Sequence, residues 1–274
     1  MKNVVITGSA RGFGYAMLKL FYQDGYNVVM IDMNEEALNQ SKQEIEKTNV
    51  QDDNKVLTYK CDITNSDEVK SLIDDVVNKL GSIDIWINNA GVNQEMLPIW
   101  ELEISDIARL IDIDLKGTIN CSNLVMKQME KQNSGQIYNV EGFGSDDAKQ
   151  FGLSIYGTAK RAVTYFTEAL AFEVDEKKLN IQVGKITPGI MITNFINHSL
   201  GDKKEFELSD KVKMVYNILG DRPETIAEFM VKKIEKNAKN DVKLTWLTKK
   251  RAFGRFMKAP FKKNNYFLDE GRGE

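Results

Sequence analysis

Histidine, cysteine and proline are scarce in this chain of 274 residues, which holds one histidine, two cysteines and four prolines. Cys61 and Cys121 stand far apart, no C-x-x-C occurs, and His198 is the single imidazole. Neither a zinc site nor a disulfide framework is implied, so no metal is expected and a reducing, cytoplasmic setting is. His198 reads as a solvated loop residue. No apolar run approaches the roughly 18 residues that mark a spanning helix. The opening MKNVVITGSA runs straight into a strand and a Gly-rich turn, without the apolar core and cleavage site of a signal peptide. A large excess of either charge is missing as well: 37 basic residues against 40 acidic ones give a net charge of −3, which argues against a nucleic-acid partner. Repeats and low-complexity linkers are absent. The expected organisation is a single domain over 1–242, including a looser lid at about 190–222, followed by a tail over 243–274.

What the chain does have, 42% hydrophobic and 28% charged residues, suits a substantial packed core. Short apolar runs at 3–7, 27–32, 55–62, 83–90, 135–140 and 180–188 alternate with amphipathic stretches at 12–24, 34–48, 66–80, 103–131 and 155–175. In the third of these, Val69, Ile73, Val76, Val77 and Leu80 recur at helical spacing. Strand followed by helix, repeated, predicts an α/β fold with a doubly wound parallel sheet, a Rossmann fold, capped by a C-terminal helical lid and tail.

The stretch VVITGSARGFGYAM sets Gly8, Gly12 and Gly14 between a strand and a helix, with Ser9, Arg11 and Phe13 among them. Such a turn lets backbone N–H groups approach a pyrophosphate at a helix N-terminus. Asp32 closes the second strand, where a carboxylate accepts from both ribose hydroxyls of NAD and repels the 2′-phosphate of NADP. Arg11 pulls the other way, since a guanidinium in the turn suits a 2′-phosphate. Asp32 sits at the ribose itself, so NAD is expected over NADP. At the ends of the next strands, Asp62 is placed for an adenine amine and Ile63 for the ring. Asn89, Ala90 and Gly91 of NNAG let the backbone come close to a cofactor.

With TGSARGFG, NNAG, Tyr156-x-x-x-Lys160 and Pro188-Gly189 in this order, the sequence resembles the short-chain dehydrogenase/reductase family over roughly 3–195. Within it, SIDIWINNAG, NVEGFGS, IYGTAK, NILGDRPETIAEFMV and the LTWLT opening of the tail are similar to the chlorophyll b reductase-like branch. Branch members share a scaffold while their substrate lids differ, so the resemblance establishes no chlorophyll substrate. It implies a small-molecule alcohol or carbonyl substrate, with Thr193 at the nicotinamide carboxamide and Lys160 at the nicotinamide ribose. It also implies a homodimer or homotetramer built on helices 103–131 and 155–175.

Tyr156 and Lys160, four apart on a helix, emerge on one face. Carbonyl reduction needs a proton at the developing alkoxide, which a phenol supplies; the reverse reaction needs a phenolate. An ammonium about 6 Å away at an effective dielectric of about 20 favours phenolate by about 3 kcal/mol, roughly two pKa units. The serine pair usual in the family is missing, its positions held by Glu141, Gly142 and Phe143. Ser145, a displaced hydroxyl that the branch shares, is the expected substrate-orienting donor, with Ser154 as runner-up. A turn serine bonded to its own backbone is the bland alternative. Asp114 replaces a family asparagine that helps hold a proton-relay water, offering an acceptor oxygen but no amide donor. A dinucleotide-binding sensor or scaffold without turnover is the alternative function.

Beyond Thr193, Met191, Ile192, Phe195, Ile196, Phe206, Met214, Val215, Tyr216 and Ile218 suggest an apolar lid suited to a hydrophobic or polycyclic substrate, hydroxysteroid-like or formyl-bearing. The tail carries Lys243, Lys249, Lys250, Arg251, Arg255, Lys258, Lys262 and Lys263 among Trp246, Phe253, Phe256 and Phe261. The favoured reading docks its aromatic face on protein with the charges solvated; contact with an anionic membrane is the alternative.

Overall fold

The structure, a computed structural model, describes residues 1–48, 53–192, 210–259 and 266. Seven strands form one sheet: β1 (Asn3–Thr7), β2 (Asn27–Asp32), β3 (Val56–Lys60), β4 (Ile85–Asn88), β5 (Gly135–Val140), β6 (Ile181–Thr187) and β7 (Val242–Thr245). They lie in the order β3-β2-β1-β4-β5-β6-β7, and every pairing is parallel. Strand order thus reverses between β1 and β4. The crevice beyond the carboxyl ends of those two strands is where open α/β sheets bind ligands.

The helices are α1 (Gly12–Gln23), α2 (Glu35–Glu46), α3 (Ser66–Leu80), α4 (Ile104–Ile111), α5 (Thr118–Gln132), α6 (Ser154–Glu176), α7 (Asp210–Leu219), α8 (Pro223–Glu235) and α9 (Lys249–Lys258). Side chains along a strand alternate between faces, and both faces here are apolar. Val4 and Ile6 of β1 pack with Met17, Phe21, Leu38 and Met230 of α1, α2 and α8. Val5 faces the other way, toward Ile73, Val125 and Val174 of α3, α5 and α6. Local signals agree with this layering. Asn65 caps α3 by accepting from the N–H groups of Asp67 and Glu68, and Gly81, at φ 86°, ends it.

β7 extends the sheet beyond the six strands expected, so residues 243–245, read from sequence as the start of the tail, belong to the fold. Lys243 of this strand reaches the buried Glu141 carboxylate at 2.8 Å. The described part of the tail after β7, residues 246–259, docks in the inverse of the expected sense. Trp246 does pack on protein, edge-on to Phe229 at 5.2 Å between centroids. On α9, however, the arginines face inward. Arg251 stacks over Trp246 at 3.8 Å, and Arg255 pairs with Asp221 at 2.7 Å and donates to the Leu219 carbonyl at 2.9 Å. Phe253, Phe256 and Met257 are left exposed. Arginine wins the inner face because its planar fork both stacks on an aromatic ring and bonds acceptors. Phe261, Lys262 and Lys263, like Phe195, Ile196, His198 and Phe206 of the lid, lie outside the described residues.

Candidate active site

The carboxyl ends of β1, β2, β4 and β5 open into a cavity of about 1400 Å³. Gly8, Arg11, Gly12 and Phe13 form its wall beyond β1, Asp32 lines it beyond β2, and Asp62 and Ile63 beyond β3. Asn89, Ala90 and Gly91 continue it beyond β4, and Tyr156 and Lys160 reach it from α6. These sequence-predicted residues are therefore brought together although they are spread over most of the chain.

The glycines act by what they exclude. A Cβ on Gly8, which has φ +62°, would lie 2.7 Å from the Ala90 Cα, and one on Gly14 would lie 2.6 Å from Asn89 Nδ2. Gly12, at φ +63°, meets nothing within 4 Å, which leaves an open backbone cradle at the start of α1. Asn89 fastens β4 to the turn, its amide donating to the carbonyls of Thr7 and Gly8 at 3.0 and 2.9 Å. Asp32 accepts from the N–H groups of Ala10 and Asn34, at 3.2 and 3.1 Å, which fixes a carboxylate at the wall of the cavity. An open glycine turn, a helix N-terminus and a carboxylate on the next strand fit a nicotinamide dinucleotide.

Other predicted residues serve from behind the wall. Ser9 is fully buried, donating to the Ile6 carbonyl at 2.8 Å and accepting from Ile31 N at 3.1 Å, so it pins β1 to β2. Gly14 is used in packing, and Gly189, at φ +78° after Pro188, turns the chain against Leu247. Thr193 lies outside the described residues.

The acid–base group is compact. Lys160 Nζ lies 5.5 Å from the centroid of the Tyr156 ring, close to the separation expected from their spacing. It also lies 3.0 Å from Asp114 Oδ2, with both side chains buried. Asp114 sits in a π-helical turn, Asp112–Gly117, between α4 and α5. Such turns interrupt helices at functional sites, and here the turn presents the carboxylate toward α6. Val92 N donates to its other oxygen at 2.7 Å.

This pairing changes the electrostatics expected from sequence. Burial raises the pKa of Tyr156, the Lys160 charge opposes that rise, and Asp114 and Tyr216 add to it, so the phenol ends above its ordinary value rather than below. Burial by itself lowers Lys160, but the Asp114 carboxylate overrides it and the ammonium is held. The lysine is paired with a carboxylate that opposes its pull on the phenol, and burial outweighs what remains of that pull.

Ser145 also departs from expectation. Its buried hydroxyl accepts from Gly142 N and donates to the Lys160 carbonyl, each at 3.3 Å, and it does not line the cavity. The hydroxyl is spent on the loop after β5 and the backbone of α6. Ser154 begins α6 on an exposed surface. Gly142 instead lies against the tyrosine, since a Cβ there would collide with the Tyr156 hydroxyl. The positions of the missing serines thus carry a glycine that makes room for the phenol.

Neither Glu141, which lines the cavity, nor Gln94, which meets the start of α6 from behind it, was singled out for a role from the sequence. Glu141 lines the cavity and is held by Thr164 at 2.9 Å, Thr187 at 2.6 Å and Lys243 at 2.8 Å. A charged residue directly after an apolar strand was its only signal. Gln94, in the loop after β4, has no local motif at all.

The model for the family described as short chain dehydrogenase matches residues 2–204, and the chain belongs to that family. A probable chlorophyll(ide) b reductase NYC1, chloroplastic, from Arabidopsis thaliana is 29% identical over 285 residues, covering 99% of this chain and 55% of that protein. The resemblance to the chlorophyll b reductase-like branch thus runs through the tail, though the chain spans about half the length of that relative. A 7alpha-hydroxysteroid dehydrogenase of Escherichia coli strain K12 is 30% identical over 193 residues, covering 70% of this chain and 72% of that one. Among solved structures, NAD+-bound xylitol dehydrogenase superposes with a TM-score of 0.75 at 27% identity, over 89% of this chain and 96% of that one.

Proposed function

We propose that the chain is an NAD(H)-dependent oxidoreductase that interconverts the carbonyl and alcohol of a hydrophobic or polycyclic substrate. The observation that carries this reading is the buried Tyr156, Lys160 and Asp114 group reaching a cavity walled by the glycine turn and Asp32. A bound nicotinamide dinucleotide supplies or accepts the hydride. Tyr156 donates the proton to the substrate oxygen, a task suited to a phenol kept protonated by burial. Lys160 keeps positive charge beside it, and Asp114 holds that ammonium in place. The raised tyrosine pKa favours reduction over oxidation at neutral pH.

Substrate class rests on Met191 and Ile192 in the cavity wall and on the hydroxysteroid and chlorophyll(ide) enzymes among the relatives. Cofactor choice rests on Asp32. Self-association is supported by Ile104 on α4 and Tyr165 and Phe172 on α6, which are 77%, 73% and 65% exposed. Large exposed apolar side chains of this kind mark contact surfaces. The test is to mix the protein with NADH or NADPH and a panel of hydrophobic ketones, aldehydes and alcohols, following absorbance of the reduced nicotinamide. Turnover with NADH supports the reading. Tight cofactor binding with no turnover across the panel favours a dinucleotide-binding sensor or scaffold.

A further inference from the structure

α6 carries Tyr156 in its first turn, where backbone N–H groups have no partner within the helix. Its own capping position is Leu153, which makes no side-chain bond to them. The acceptor comes from elsewhere. Gln94 Oε1 accepts from the N–H groups of Ile155 and Tyr156, both at 3.0 Å. Gln94 is only 5% exposed. Two residues earlier, Val92 N donates to the Asp114 carboxylate that holds Lys160. Residues 92–94 therefore tie both halves of the acid–base pair: the backbone reaches the ammonium through Asp114, and the side chain grips the peptide of Tyr156. Gly152, at φ +78°, keeps the approach to α6 against the same loop, since a Cβ there would lie 2.6 Å from the Met96 backbone.

We propose that Gln94 is a positioning residue of the reaction, fixing Tyr156 relative to Lys160 through the two backbone hydrogen bonds it accepts. The inference rests on the reductase reading given above. A second feature of the side chain supports it. Its amide nitrogen is buried without a hydrogen-bond partner among the described residues, which is costly and which an apolar side chain of the same length avoids. What glutamine offers that methionine lacks is the carbonyl. What it offers over glutamate is neutrality, because a further carboxylate beside Tyr156 would raise the phenol pKa as Asp114 does.

Two variants of the full chain, each studied with NADH bound, test this. Gln94→Met should speed amide exchange at Ile155 and Tyr156 at least about tenfold while leaving the rest of α6 protected. It should lower kcat about thirtyfold for a carbonyl substrate from the panel, on the scale of an ångström-sized misplacement, with the KM for NADH within about twofold. Gln94→Glu keeps both accepted bonds, so exchange should stay as in the unmodified protein, and the alkaline fall in reduction rate should move to higher pH. Unchanged exchange and kcat in Gln94→Met would overturn the proposal, as would deprotection of all of α6 with loss of NADH binding. If Gln94→Met does not fold, Gln94→Leu, which also lacks the accepting carbonyl, decides, and unchanged exchange at Ile155 and Tyr156 counts against the proposal. Exchange is read without turnover, so an inactive wild-type protein would defeat the reductase reading while the exchange comparison still judges the tie.

Discussion

Lys160 and Asp114 form an ion pair at 3.0 Å inside the protein, their side chains 8% and 0% exposed. A lone ammonium beside Tyr156 would pull the phenol toward phenolate. A matched pair has little net charge, so burial decides, and the tyrosine is held as an acid. The aspartate adds to burial in holding the phenol protonated, against the pull of Lys160.

Asp114→Asn should expose this control. Asparagine still offers an oxygen to Val92 N but no charge, so one cause of the raised Tyr156 pKa is removed and that pKa falls. Reduction needs the protonated phenol, so its alkaline fall should begin at lower pH. Oxidation needs the phenolate, so its rate should start to climb at lower pH. Rate profiles in both directions check this, and limbs that stay fixed or move upward contradict it.

Asp32→Ala should narrow the gap between NADH and NADPH affinity by about tenfold, the scale of one charged contact. Fluorescence titration of both cofactors measures it. Tighter binding of NADPH than NADH by the unmodified chain would mean that Arg11, also on the cavity wall, governs the choice.

Ser145→Ala removes two long hydrogen bonds between a loop and α6 rather than a donor in the cavity. It should cost about 1 kcal/mol of stability in urea unfolding and reduce turnover by less than about tenfold. Unchanged stability with about a hundredfold loss of turnover would place the hydroxyl on the substrate oxygen after all.

The parallel sheet and its dinucleotide crevice were legible because strand alternation, glycine turns and the Tyr156–Lys160 spacing are local patterns. β7 was not, since four residues of VKLT at the border of a basic stretch carry too little periodicity to stand out. The placements of Ser145, for which a backbone-bonded turn serine was the alternative, and of Gln94 were harder to read for a different reason. Each is fixed by a partner far along the chain: Ser145 by Lys160, and Gln94 by the start of α6. Spacing shows that Tyr156 and Lys160 share a helix face, but the sign of the tyrosine's pKa shift depends on how deeply the fold buries it and on where Asp114 comes to rest.

Tyr156→Phe tests the proton donor most directly. The substitution deletes one hydroxyl and leaves the glycine turn and Asp32 untouched, so NADH affinity should stay within about twofold. Loss of a positioned general acid costs about a hundredfold to ten-thousandfold in rate, and kcat for carbonyl reduction should fall by that much. A variant that binds NADH normally and reduces the substrate at the unmodified rate would contradict Tyr156 as the acid.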